Sequence, residues 1–484
     1  MNVKVISRNV GYALLVSALF MLLSILVSVA NGNDSALAAL MISFTITFTV
    51  GIFPFIFVRK TREITLKDGF MIIVLSWLLS FIFGMLPYAL WGGPFTIINA
   101  WFESVSGFTT TGASILDDVE ALPRSLLFWR SSTHFIGGLG VVVFLLLIIP
   151  DSSQMRLRLT NLELSSLSKR EYRSGANKTV YVFTSVYLGM LVASFLAYLL
   201  AGMSPFDAVN HAMSVTATGG FSTKNQSIGT FNSVAVDLVT MFFMFLSSIH
   251  FGMVFVAFAT RSLKPFKNEI FKFYIWSLLI ASMVVSVSLL AQGVENNWRQ
   301  ALLNGSFHVL SYASTSGFGI ADNSVWPALP SAILIFVGIW CGMAGSTTGG
   351  IKSDRALLLC KEVRYHLKNV LHPASVNEVR INRRVIRQED ITPHILYIAL
   401  YMMLIIISLA INLILNPNNA NAVAATFTSL SNVGPAIGDL GSFGNFGAEP
   451  VGAKLVYTLD MFLGRVEIYP IFAVVMMVFS KSSR

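Results

Sequence analysis

The sequence predicts an all-α polytopic membrane protein, with two N-terminal helices followed by four membrane–pore–membrane repeats around one central pore. Three observations lead there. The 484 residues are 55% hydrophobic and only 12% charged, whereas about a quarter of a soluble domain is charged. Apolar runs of about 20 residues, each long enough to cross a bilayer as a helix, recur along the whole chain. Between pairs of these runs lie apolar stretches of about 12 residues, too short to span, each leading into a polar segment that contains glycine.

Taken in order, helices are expected at about 9–30 and 35–58, joined by the polar turn Asn31-Gly32-Asn33-Asp34. The first run is too long for a signal-peptide core and lacks a small-residue cleavage site, so it reads as a retained helix. Runs at 68–91 and about 125–149 then flank a short stretch near 95–108. The same pattern recurs with runs at 178–202 and 231–259 around 205–216, at 270–293 and 329–345 around 298–314, and at 396–415 and 452–480 around 420–431. The chain therefore divides into a two-helix unit at 1–60 and pore repeats at 66–150, 178–262, 268–372 and 390–484, the third with a broken second helix.

Charge fixes the orientation. The net charge of +9 could suggest a nucleic-acid partner, but the basic residues are confined to a few loops. They are Arg59, Lys60, Arg62 and Lys67; Arg156, Arg158, Lys169, Arg170 and Arg173; Arg261, Lys264, Lys267 and Lys272; and the stretch from Lys352 to Arg387. The alternate loops carry Asp117, Asp118, Glu120, Asp207, Glu295, Asp322, Asp439 and Glu449 with few cations. The positive-inside rule places the basic loops in the cytoplasm, so each repeat starts and ends inside. The two cysteines, Cys341 and Cys360, lie in or near apolar segments and imply packing rather than a disulfide framework.

The short stretches read as helices that dip in from outside and end on "TTTGAS" around Gly112, "TATGGFS" around Gly219, "STSGFG" around Gly317 and "SNVGPAIG" around Gly434. Irregular backbone at membrane depth is tolerated only when it is buried in protein or lines a wet cavity. Four such dips in four equivalent units point to one shared pore. A dehydrated cation needs oxygens in place of its water, and rings of backbone carbonyls supply them. Thr110, Thr111 and Gly112; Ala217, Thr218 and Gly219; Thr315, Ser316 and Gly317; and Asn432, Val433 and Gly434 are the candidate ion-binding residues. The C-terminal dipole ends of the short helices favour a cation there. The segments hold no carboxylate, which disfavours a divalent-ion site.

With these four segments, "GMAGSTTGGIK" at 342–352 and "GRVEIYP" at 464–470, the chain resembles the Trk/Ktr/HKT superfamily of potassium transporters, TrkH type, over essentially its whole length. The two extra N-terminal helices favour the Trk type. The resemblance implies one potassium pathway per chain, with K+ as the transported ion and no permanently bound cofactor. It implies homodimeric assembly and a cytosolic TrkA-like nucleotide-binding partner. It also implies that glycine at all four filter centres goes with potassium preference.

The stretch at 342–352 resembles a phosphate-binding loop only superficially, because Ile351 separates Gly350 from Lys352 and no strand precedes it. It reads instead as a helix break that crosses the pathway beneath the filter. Gly345, Gly349 and Gly350 give mobility, while Ser346, Thr347 and Thr348 satisfy the freed backbone groups. The resemblance gives this loop, with Lys352, a gating role. Arg465, expected halfway along the last spanning helix, is costly in a membrane and reads as an electrostatic barrier beneath the filter. The competing reading is a buried ion pair, with Asp460 as one candidate partner. Arg130, His134 and His250 read as hydrogen-bonding residues of the second helices rather than proton relays.

Within transport, the alternative to a channel-like pore is a symporter coupling potassium to protons or sodium. Parallel repeats, each starting inside, favour the pore over a rocking carrier built from inverted repeats. An enzyme is excluded by the lack of a His-Glu-x-x-His or Gly-x-Ser-x-Gly motif and by the dispersal of Glu103, His211 and His308.

Overall fold

A computed structural model describes residues 2–59, 65–148, 176–374, 377–382, 384–417 and 421–482. The expected cytoplasmic cations Lys60, Arg62, Arg156, Arg158, Lys169, Arg170 and Arg173 lie outside the described residues. So do the boundaries at 1, 60, 150 and 484.

The protein is an all-α polytopic membrane protein in which two N-terminal helices precede four membrane–pore–membrane repeats around a central pore. Helices α1 (Val3–Ala30) and α2 (Leu37–Phe57) form the leading hairpin. They approach closely at paired glycines, where a β-carbon on Gly11 would lie 2.7 Å from the Gly51 carbonyl oxygen. Small residues at such crossings let helices pack in lipid, where no hydrophobic force drives them together.

In the first repeat α3 (Leu66–Gly84) and α4 (Leu86–Trp91) lead to the short α5 (Ile97–Phe108) and back through α6 (Arg124–Ile148). The second repeat comprises α7 (Ala176–Leu200), the short α8 (Pro205–Ala217), α9 (Val234–Ser248) and α10 (Phe251–Thr260). The third comprises α11 (Glu269–Ala291), the short α12 (Trp298–Ala313), α13 (Ala328–Trp340) and α14 (Ser353–Leu371). The fourth comprises α15 (Gln388–Leu415), the short α16 (Ala422–Ser431), α17 (Val451–Arg465) and α18 (Tyr469–Ser482). Among the described residues six helices are long and apolar enough to span, and eight spans result if each of two bent pairs counts as one.

Local chemistry starts the short helices where they begin. Thr96, Ser204 and Asn297 each accept a backbone N–H of the first turn of α5, α8 and α12. Pro205 adds a preset φ at the first position of α8. Packing is inverted relative to a soluble protein. Leu19, Phe53, Leu279 and Ile406 on the long helices are exposed, while Thr109, Thr111, Thr218 and Ser316 near the centre are fully buried.

Three features depart from the sequence expectation. The runs at 231–259 and 452–480 are not continuous spans: α9 and α10 meet at 103°, and α17 and α18 at 107°. The first break is held by His250, whose ring Nδ1 accepts the Gly252 N–H. At the second, Glu467 takes a left-handed conformation (φ 53°) and Pro470 opens the next helix. Helix α6 also kinks, at Gly140 (φ 55°), so the second helix is interrupted in every repeat and not only in the third. Finally, a small antiparallel hairpin, β1 (Arg380–Ile381) and β2 (Arg384–Val385), pairs Arg380 with Val385 and Ile381 with Arg384.

Candidate functional site

The four short helices converge and end in the same way. In each, one residue beyond the helix adopts a left-handed conformation: Thr110 (φ 53°), Thr218 (57°), Thr315 (53°) and Asn432 (57°). Its N–H donates three residues back, and the next N–H donates five residues back. The pairs are Thr110 to Gly107 and Thr111 to Ser106, Thr218 to Val215 and Gly219 to Ser214, Thr315 to Tyr312 and Ser316 to Ser311, and Asn432 to Ser429 and Val433 to Thr428. This is the Schellman closure, which satisfies the last carbonyls of a helix. Glycine usually holds the left-handed position, and a β-branched residue there is a genuine outlier. Three threonines hold that conformation despite its cost.

The left-handed residue is followed two positions later by a positive-φ glycine: Gly112 (82°), Gly220 (80°), Gly317 (71°) and Gly434 (90°). The second segment is thus shifted by one residue from its sequence register. Its equivalent of Thr110-Thr111-Gly112 is Thr218-Gly219-Gly220. Ala217 is the last residue of α8 and matches Thr109, while Gly219 stands where Thr111, Ser316 and Val433 stand.

The four segments close into a circuit through these glycines. A β-carbon on Gly112 would lie 2.0 Å from the Gly219 oxygen, on Gly220 2.0 Å from the Ser316 oxygen, on Gly317 2.3 Å from the Val433 oxygen, and on Gly434 2.3 Å from the Thr111 oxygen. Each segment packs its glycine on the next segment's carbonyl, and the fourth returns to the first. Outside this circuit lies a cavity of about 290 Å³ that touches all four segments, at Gly112, Gly220, Gly317 and Pro435.

The loop 341–352 lies on the other side. The Thr347 carbonyl accepts the Thr218 hydroxyl at 3.1 Å. The Gly349 N–H donates to the Thr315 hydroxyl at 3.1 Å. A β-carbon on Gly349 would come within 2.3 Å of the Ser431 oxygen. The loop therefore touches the second, third and fourth segments at once. Gly345 (φ 78°) and Gly350 (φ 64°) need the freedom of glycine. Ser346 donates to the Met343 carbonyl at 2.6 Å and sits 2.7 Å from the Thr348 hydroxyl. The buried Cys341 thiol donates to the Gly349 carbonyl.

Arg465 closes this layer from the C-terminal end of α17, where the helix dipole favours a cation. Its two Nη atoms donate to the Thr347 carbonyl at 2.6 Å and the Gly137 carbonyl at 2.7 Å. It is thus at a helix end rather than mid-span, and it grips the loop backbone directly. Asp460 faces elsewhere and accepts the Ser408 hydroxyl. Glu467 pairs instead with Arg355 at 2.7 Å and Lys352 at 3.6 Å. Lys352 (φ 77°) is the residue from which α14 starts.

Comparison with known proteins places this geometry. Residues 36–483 match the TrkH family profile, described as cation transport protein. The chain belongs to the TrkH family. It is 32% identical, over 97% of its length and 98% of the relative's, to the Trk system potassium uptake protein TrkH of Halomonas elongata. It is 29% identical to the protein of that name from Escherichia coli K12, over 97% of both chains. The crystal structure of the potassium transporter TrkH from Vibrio parahaemolyticus superposes with a TM-score of 0.87 at 29% identity, covering 98% of both chains. As a TrkH-family chain it sits among transport proteins.

Arg130 and His134 hydrogen-bond as expected from the sequence, but their partners escaped sequence reading, and Glu103, read as dispersed, is one of them. Glu103 and Arg130 form a buried ion pair at 2.8 Å, and Glu103 also accepts the Ser114 hydroxyl and the Ile115 N–H. Arg130 stacks on Phe221, 4.0 Å from the ring centre. His134 bonds Ser214 at 3.0 Å and stacks on the same ring. The missing signal was register: once Gly220 replaces Gly219, Glu103, His211 and His308 all stand nine residues before their glycine.

Proposed function

We propose that this chain carries potassium into the cell across the bacterial inner membrane, with its basic loops cytoplasmic, through a channel-like pore. In this reading the carbonyls around Thr110–Gly112, Thr218–Gly220, Thr315–Gly317 and Asn432–Gly434 replace the ion's water. The observation that carries it is the closed circuit of four glycine-to-carbonyl contacts. The relatives' names, potassium uptake proteins, supply the ion. Potassium is the cargo, and the four segments hold it in transit.

The loop from Gly345 to Lys352, latched by Arg465, is the gate beneath the filter. Division of the chain into four pore repeats after a two-helix unit is part of the same reading. So are a homodimer and a cytosolic TrkA-like nucleotide-binding partner, which the relatives' description as parts of a Trk system favours.

The test is flux of potassium, rubidium and sodium into liposomes containing the purified protein, with and without Gly112→Ser. The substituted β-carbon would lie 2.0 Å from the Gly219 oxygen at a φ of +82°, so the ring must distort and the preference for potassium over sodium should fall. An unchanged preference would remove the filter from this site. Deletion of 346–349 should raise flux in the absence of any partner, and unchanged flux would sink the gate.

A further inference from the structure

The filter circuit is braced from behind unequally. In the first segment Glu103 accepts from Ser114 and Ile115, just beyond Gly112. In the second, the His211 ring bonds the Ser222 hydroxyl at 2.9 Å, just beyond Gly220. In the third, the His308 ring bonds the Ala321 carbonyl at 3.1 Å, beyond Gly317. All three side chains project from the same position of their short helices. In the fourth helix that position is Ala425, a methyl group that can make no hydrogen bond.

Within its own repeat the fourth segment is tied at Asn432, whose amide donates to the Met461 carbonyl, but beyond Gly434 it is held from another repeat. Tyr312, on the third short helix, is buried, and its hydroxyl donates to the Ala436 carbonyl at 2.5 Å, two residues beyond Gly434. The same hydroxyl accepts from the Asn323 amide at 3.0 Å. The Asn323 oxygen in turn accepts the Ser442 N–H at 2.7 Å. The chain of bonds clamps both ends of the 436–442 turn, whose own Ala436 N–H donates to the Leu440 carbonyl at 2.7 Å. Tyr312 and Val433 also share one apolar cluster with Leu334 and Trp326, so the ring that makes this bond packs in the same cluster as the Val433 side chain.

The geometry points to Tyr312 and Asn323 as positioning residues that set the fourth filter segment, and with it the discrimination between potassium and sodium, in place of the helix brace that Ala425 lacks. Their action is indirect. They touch no ion; they fix the Gly434 turn whose glycine packs on the Thr111 carbonyl. A buried carbonyl that loses its donor can move, and a filter carbonyl that moves accommodates a smaller ion. The inference rests on the filter reading above.

The test measures the potassium-to-sodium flux ratio of Tyr312→Phe and Asn323→Ala in liposomes, beside wild type and Gly112→Ser. Tyr312→Phe keeps the ring and removes only the hydroxyl. Its ratio is expected to fall roughly three- to tenfold, the range of one hydrogen bond, with yield and gel-filtration profile unchanged. Asn323→Ala is expected to fall in the same direction, and it decides the matter if Tyr312→Phe does not fold. A merely structural role would lower yield and leave the ratio of the surviving protein alone. Ratios within twofold of wild type in both variants, while Gly112→Ser shifts it, would overturn this inference and leave the filter intact. A Gly112→Ser ratio equal to wild type would overturn the filter reading and this one with it.

Discussion

Replacing Arg465 with alanine removes one bond to the loop beneath the filter, at Thr347, and one that ties Arg465 to α6, at Gly137. The Nη–oxygen distances are 2.6 Å to Thr347 and 2.7 Å to Gly137, both in the range of charge-assisted hydrogen bonds. Such bonds contribute about 1.5–3 kcal/mol each in net terms. The Thr347 carbonyl keeps the Thr218 hydroxyl at 3.1 Å, so its loss lies at the low end. A loss of about 1.5 kcal/mol of loop restraint corresponds to a roughly tenfold shift toward the released loop, at about 1.4 kcal/mol per tenfold. Potassium-driven flux into liposomes, with no other protein present, should therefore rise, by up to that factor if loop release limits conduction. Arg465→Lys should fall between the two, because a single ammonium cannot reproduce a planar fork reaching two carbonyls. Gel filtration and thermal unfolding of the same preparations separate gating from folding. Well-folded Arg465→Ala whose flux equals or falls below wild type would refute the latch.

Four further outcomes follow from the geometry. Gly220→Ser should lower potassium preference as Gly112→Ser does, since its β-carbon would lie 2.0 Å from the Ser316 oxygen. Ala217→Gly should leave preference unchanged, and the same liposome assay reads both. Glu103→Gln strips the charge from a partner of Arg130 that is 0% exposed. Breaking a buried pair costs about 3–5 kcal/mol, so thermal unfolding in detergent should shift down clearly, whatever the flux. Outside the membrane, the Asp118 carboxylate accepts the Asn225 amide at 2.8 Å and the N–H groups of Ala121 and Glu120, which hold it below the usual carboxylate range. Because its folded pKa is depressed, the stabilisation is complete above the ordinary value of about 3.9 and disappears as pH falls through the lowered one. Hydrogen-exchange protection of the Val119 N–H, which donates to Asn225 at 2.6 Å, should hold at neutral pH and be lost only in that acid range.

The parts of this molecule that a membrane dictates were the legible ones. Bilayer thickness separates a 12-residue dip from a span, so the short helices expected near 95–108, 205–216, 298–314 and 420–431 form at 97–108, 205–217, 298–313 and 422–431. What decides the filter register is a backbone angle, and Thr218-Gly219-Gly220 offers two glycines to choose from; only the left-handed Thr218 and positive-φ Gly220 select the second. The helix breaks were hidden for a similar reason. Ser247–His250 looks like the interior of an apolar run, and its break is fixed from a distance, by the Phe251 N–H donating to the Gly345 carbonyl at 3.0 Å. The setting of Arg465 was half legible. Its cost in lipid flagged it, but its partners are backbone carbonyls 118 and 328 residues away, and a carbonyl leaves no mark in a sequence. The hairpin at 380–385 has strands of two residues each, too short to show alternation.

The four segments Thr-Thr-Gly, Thr-Gly-Gly, Thr-Ser-Gly and Asn-Val-Gly differ at the middle position because the circuit asks nothing of that side chain. The first residue must tolerate a left-handed angle, and the third must lack a β-carbon that would strike its neighbour's oxygen. The middle residue contributes its carbonyl, which glycine, valine, serine and threonine all carry. Its side chain answers to local packing instead: Val433 joins an apolar cluster, the Thr111 hydroxyl accepts the Asn432 amide at 3.0 Å and ties the first segment to the fourth, and Gly219 leaves room for His134, whose Nδ1 a β-carbon there would approach to 2.2 Å. Because all four segments belong to one chain, each can acquire its own brace, a carboxylate, two imidazoles, or a tyrosine borrowed from next door. A ring of identical subunits would have to use one solution four times. Here the backbone repeats and the supports diverge, which is why the repeat is plain in hydropathy and glycine spacing yet faint residue by residue.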